Sequence, residues 1–124
     1  MRHTTNPQVM KHRTKALALQ IIRLCRTLPR TDEYRIICRQ LLRCSTSVAA
    51  NYRAACRARS TADFISKIGI VLEEADETHS GIELLHDAGV ATTEKLNPVL
   101  NEADELVSIF VASLCTARAN RSVI

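Results

Sequence analysis

The chain has 124 residues, enough for one domain with a real core and too few for two ordinary ones. Three glycines, three prolines, no tryptophan and only four aromatic residues (Tyr34, Tyr52, Phe64, Phe110) favour helices packed through Leu, Ile, Val and Ala. The net charge of +4 hides a division: residues 1 to 60 hold 13 of the 17 Lys and Arg and only two acids, Asp32 and Glu33, for +11, whereas residues 61 to 124 hold four bases and 11 acids, for −7.

The first helix is expected from Asn6-Pro7, an N-cap with proline at the first helical position, to just before Leu28-Pro29. Val9, Met10, Leu17, Ile21, Leu24 and Leu28 form its apolar stripe. The first 31 residues contain bases and no acid, a faint likeness to an organelle transit peptide, but they serve equally as a bundle helix. The longest apolar run, Ala16 to Ile22, is interrupted by Gln20 and cannot span a bilayer. With no cleavage-site pattern after it, a cytoplasmic protein without membrane attachment is the expectation.

Thr31-Asp32-Glu33 restarts a helix with acids at the positive end of its dipole, and this second helix is expected to run to Arg57. Ser60-Thr61-Ala62-Asp63 resembles a capping box with Asp in place of Glu or Gln. The third helix follows, 61 to 87, with Phe64, Ile68, Val71, Ala75, Ile82 and Leu85 at three- and four-residue steps. Gly89 closes it. The fourth is placed over 93 to 117 through Leu96, Leu100, Ala103, Val107, Phe110 and Leu114, although Asn97-Pro98 offers a second starting point. The tail after it reads as frayed. Four long helices with three short connections predict one all-α domain over 1 to 124, an antiparallel up-down-up-down four-helix bundle.

The second helix carries the most unusual surface. At about 100° per residue, Arg35, Arg39, Arg43, Arg53 and Arg57 fall within an arc of about 80°. Ile37, Cys38, Leu41, Leu42, Val48, Ala49, Tyr52 and Cys56 lie opposite. No acid occurs from Tyr34 to Ala62. Like charges four residues apart repel by a few tenths of a kcal/mol per pair, so an anionic partner is expected. Nucleic acid, DNA or RNA, is one such partner, met through phosphates with help from Lys11, Lys15 and Arg23 on the first helix. Aromatic platforms for unpaired bases are missing, and helices of this length do not suggest a helix-turn-helix, so backbone contact with little sequence selectivity is expected. The competing partner is a second copy, docked through the acids of the third and fourth helices as a head-to-tail ring or filament. Gln40, Arg43, Ser47 and Asn51 share a face beside the apolar stripe and are candidates to hydrogen-bond a neighbouring helix or a neighbouring subunit at such an interface.

The runs QLLRCSTSVAAN (Gln40 to Asn51), STADFISK (Ser60 to Lys67), EADET (Glu74 to Thr78) and IELL (Ile82 to Leu85) resemble the "four helix bundle protein" family. That family is similar to proteins encoded in intervening sequences of bacterial large-subunit ribosomal RNA and, more distantly, to the accessory protein of diversity-generating retroelements. The resemblance covers nearly the whole chain. It implies an antiparallel bundle, often a homopentameric ring, with no established enzymatic activity; the retroelement relatives imply nucleic acid and a reverse transcriptase as partners. This chain departs from the pattern at Ala54, where glutamate is common, at Arg57 and Arg59, where acidic or neutral residues are, at Cys44-Ser45, a small S-G pair elsewhere, and at Gly81, an aromatic position elsewhere.

Enzymatic readings are set aside. Glu83-x-x-His86 and Asp76-x-x-His79 have the spacing of bundle di-metal ligands, but both sit on one helix and the first two helices offer no interior carboxylate. His79 and His86 read as edge-of-core residues with a satisfied nitrogen. Five cysteines with no C-x-x-C read as reduced, buried thiols rather than a zinc site. No nucleophile, base and orienting carboxylate converge, and no cofactor is expected.

Overall fold

Four helices account for almost all of the residues that the computed structural model describes, 6 to 123: α1 (Pro7–Thr27), α2 (Asp32–Cys56), α3 (Thr61–Asp87) and α4 (Thr93–Val123). Their ends are set by local chemistry. Asn6 Oδ1 accepts from the backbone N–H groups of Gln8 and Val9, at 2.9 and 3.3 Å, and Pro7 contributes a fixed φ at the first position. Ser60 Oγ accepts from the N–H of Asp63 at 3.0 Å. The Asp63 carboxylate reaches back one residue further than a capping box requires, to the N–H of Arg59 at 3.3 Å. Gly89 takes φ 69°; its N–H donates to His86 O and that of Val90 to Leu85 O, the paired bonds of a Schellman stop.

α4 runs past the C-terminal end expected from the sequence. It starts at Thr93, with the Thr92 hydroxyl accepting from the N–H of Lys95, and holds Pro98 inside the helix. Pro98 is exposed in the second turn, so the missing donor faces water rather than core. Helix continues through Val123, beyond Ala117, the last apolar residue described as buried.

The packing is that of an all-α four-helix bundle. α1 meets α2, α2 meets α3, α3 meets α4, and a sparser seam joins α1 to α4. The diagonal backbones stay apart; large side chains fill the middle, with the rings of Tyr52 and Phe110 5.8 Å apart at 40°. Leu17, Ile21, Val48, Ile68, Val71 and Leu106 are fully enclosed. Leu41 packs onto Gly81, and one turn along, Cys44 Sγ accepts from the Thr78 hydroxyl at 3.1 Å. Cys44 is the buried thiol, Cys25 and Cys38 are half-buried, and Cys56 and Cys115 are exposed rather than buried. Cys56 ends α2, where the bundle opens.

Candidate nucleic-acid interface

The buried residues of α2 (Leu41, Cys44, Ser45, Val48, Tyr52, Ala55) define its inward face, and all five stripe arginines are exposed on the other side. They are not equivalent. Arg39, Arg53 and Arg57 have no carboxylate partner among the described residues. They span about 27 Å of helix. Arg35 bonds Asp32 one turn earlier at 3.1 Å, an exposed pair of small energetic weight.

Arg43 is drawn sideways off the stripe to α3. Its Nη1 donates to both Glu74 oxygens, at 3.0 and 3.3 Å, its Nη2 to Glu77, and its Nε to Gln40. The hydrogen bonds to Glu74 are the main reason its pKa rises. Burial pushes the Glu74 carboxyl up, but hydrogen bonds from Ser47 and Arg43 outweigh it and leave the carboxyl below the ordinary range. Asn51 closes this row by donating to Ser47 O and Oγ at 3.0 and 2.8 Å. Gln40, Arg43, Ser47 and Asn51 thus form one chain of polar contacts leading to the flank of α3.

On α1, Lys15 and Arg23 are exposed and Lys11 is half-buried, all three without an ion pair among the described residues. The same helix sends Arg13 the other way, to Glu102 at 2.7 Å and Glu105 at 2.9 Å on α4; hydrogen bonding to Glu102 raises its pKa despite partial burial. Each seam with an acidic helix therefore takes up one arginine, and the surplus positive charge is left on the outer face of α1 and α2.

Two further residues extend that face. Arg26 lies on the same arc of α1 as Lys15 and Arg23, which wheel angles alone would have revealed. Arg30, in the connection after Pro29, has no periodicity to give it away. With Arg35 and Arg39 they line a groove of about 600 Å³ between the end of α1 and the start of α2, which also contains Tyr34. A larger groove, about 1130 Å³, opens at the far end of α2 against α4, lined chiefly by apolar groups such as Tyr52, Phe64 and Phe110.

His79 Nε2 lies 3.9 Å from Asp104 and His86 Nδ1 3.3 Å from Asp87. Among the described residues no group of three or more His, Cys, Asp or Glu could hold a metal ion, and no helix is long and apolar enough to cross a membrane.

Residues 8–112 match the model of the 23S rRNA-intervening sequence protein family, and the chain belongs to that family. It is also similar to a crystal structure at 1.70 Å of a protein of unknown function from the S23 ribosomal protein family of Bacteroides thetaiotaomicron VPI-5482. The two are 32% identical, with a TM-score of 0.77, over 85% of this chain and 97% of that one. No curated protein matches. Neither description names a retroelement.

Proposed function

We propose that the protein is a non-enzymatic, cytoplasmic binding protein that holds the phosphate backbone of structured RNA against the outer face of α1 and α2, with little sequence selectivity. One observation carries this reading: Arg39, Arg53 and Arg57, with Lys15 and Arg23 beside them, are exposed with no carboxylate partner among the described residues, although the same molecule carries 13 acids. Guanidiniums left unpaired along a helix are matched to phosphate oxygens. The family's name ties it to ribosomal RNA, which makes RNA the polyanion to test before DNA. Anisotropy titrations with a structured RNA at several salt concentrations provide the test. With about five phosphates neutralised, affinity falls by between two and three orders of magnitude from about 50 to 200 mM salt; flat or absent binding rejects the proposal.

A second reading is self-assembly, up to the pentameric ring that the resemblance implies, built from an up-down-up-down bundle. The Leu41–Gly81 and Cys44–Thr78 register and the short connections support that topology. Ile36 on α2 and Leu84 on α3, 62% and 54% exposed, favour a protein partner. Light scattering separates the two readings: replacing the unpaired Arg39 and Arg53 with glutamate dissociates an oligomer whose basic face docks on the acids of the next copy, but leaves it intact if these arginines serve RNA alone. A reverse transcriptase partner, implied only by the distant retroelement likeness, has no place in either reading.

A further inference from the structure

An arginine-studded helix face can grip phosphates, but it has nothing to offer a base. The groove between the last turn of α1 and the first turns of α2 is different. Its floor is apolar, formed by Ile22 and Leu42 with the half-buried thiols of Cys25 and Cys38, and Tyr34 stands in its wall. Arg26 and Arg30 belong to its α1 side and connection, Arg35 and Arg39 to its α2 side. No carboxylate among the described residues lines it, and the exposed Asp32 that bonds Arg35 lies outside the lining. Its volume of about 600 Å³ lies inside the range of about 300 to 1,000 Å³ typical of small-ligand pockets.

Four guanidiniums around an apolar, aromatic-walled slot fit one chemical class well: a flat heterocycle carrying negative charge on both sides. A nucleotide that has left its helix is such a group, because its base stacks on an aromatic ring or a guanidinium plane while the phosphates before and after it remain charged. Arg39 also belongs to the outward row that continues along α2 to Arg53 and Arg57, so the groove opens at one end of the phosphate-binding face.

We propose that this groove receives a single unpaired nucleotide, a bulge or a strand end, of an RNA whose paired part lies along the α1–α2 face; the inference rests on the RNA-binding reading and adds to it a preference for interrupted helices. Tyr34 supplies the stacking surface, and Arg26, Arg30, Arg35 and Arg39 hold the flanking phosphates.

The test compares the full chain binding a blunt RNA duplex with the same duplex carrying one unpaired adenosine. The bulged RNA binds about tenfold more tightly, as expected for one stacked base. Tyr34→Leu, which keeps an apolar side chain against the core, erases that difference and leaves the blunt duplex unaffected; Tyr34→Phe retains it. Arg30→Gln, in an exposed connection where folding is not at risk, weakens the bulged RNA more than the blunt one. Equal affinity of the unaltered protein for both RNAs overturns the groove proposal while the phosphate-binding reading stands. A preference that survives both Tyr34→Leu and Arg30→Gln also overturns it, and failure to bind either RNA removes both readings.

Discussion

Arg43 and Glu74 are joined across the α2–α3 seam by one guanidinium nitrogen that donates to both carboxylate oxygens, at 3.0 and 3.3 Å. By sequence Arg43 belongs to the outward stripe; by contact it belongs to the bundle. Arg43→Gln is therefore expected to lower the thermal midpoint and leave RNA affinity nearly unchanged, as read by melting and anisotropy side by side. The depressed Glu74 carboxyl contributes stability that is present above the ordinary glutamate value of about 4.3 and is lost as pH falls through its lower folded value. Midpoints measured downward from about pH 5 should fall less steeply in Glu74→Gln than in the unaltered chain.

Gly81 is a close-approach position. A β-carbon there would stand 2.6 Å from Leu41 Cδ2 and 3.1 Å from its Cγ, so Leu41, only 1% exposed, would have to shift within a packed core. Gly81→Ala gains about 1 kcal/mol in helix propensity and loses about 1 to 3 to overpacking, so it destabilises on balance. In a Leu41→Ala background the obstruction is gone and the same change should stabilise, a sign reversal that denaturant melts of the double-mutant cycle will read. Gly69 has nothing within 4 Å of its would-be β-carbon, and Gly69→Ala should stabilise by roughly 0.5 to 1 kcal/mol.

Ser45 is fully buried and its hydroxyl has no hydrogen-bond partner among the described residues. An unsatisfied buried polar group costs about 1 to 3 kcal/mol. Ser45→Ala removes that cost and improves helix propensity, so its urea midpoint should rise. An unchanged or lowered midpoint would mean that the hydroxyl has a partner in solution.

The five thiols should differ sharply in reactivity. Burial, then the neighbouring Cys38 thiol, pushes Cys25 up to about 12, whereas Cys56 and Cys115 are exposed. At neutral pH Cys25 holds roughly a thousandth of the thiolate of an ordinary cysteine. Cys44 is the fully buried thiol, and burial pushes it up as well, so timed iodoacetamide labelling followed by peptide mass spectrometry should modify Cys56 and Cys115 first and Cys25 and Cys44 last.

The helix signals were legible because they are local: Asn6-Pro7, Ser60 with Asp63, and Gly89 act within a few residues of the ends they set. The outward aspect of the arginines was legible for the same reason, since a helix wheel needs only one helix. Which arginines stay unpaired was not, because that depends on register between helices: Arg43 meets acids 31 and 34 residues away, and Arg13 meets Glu102 89 residues away. The groove around Tyr34 was hidden in the same way, since Arg26 and Arg30 approach Arg35 and Arg39 only when the chain turns at Pro29. Cys56 was misplaced because the wheel assigns a face but does not say where along a helix its neighbours end.

The central claim is that Arg39, Arg53 and Arg57, left unpaired along α2, hold phosphate, and that Arg43, tied to α3, does not. Salt-dependent anisotropy titrations of a structured RNA with the unaltered chain, the Arg39→Gln/Arg53→Gln/Arg57→Gln triple variant and Arg43→Gln test it most directly. Each lost phosphate contact removes about 0.9 from the slope of log affinity against log salt, so the triple variant should lose between two and three while Arg43→Gln keeps the original slope. Equal slopes for the triple variant and the unaltered chain, or a larger loss from Arg43→Gln, would contradict the account.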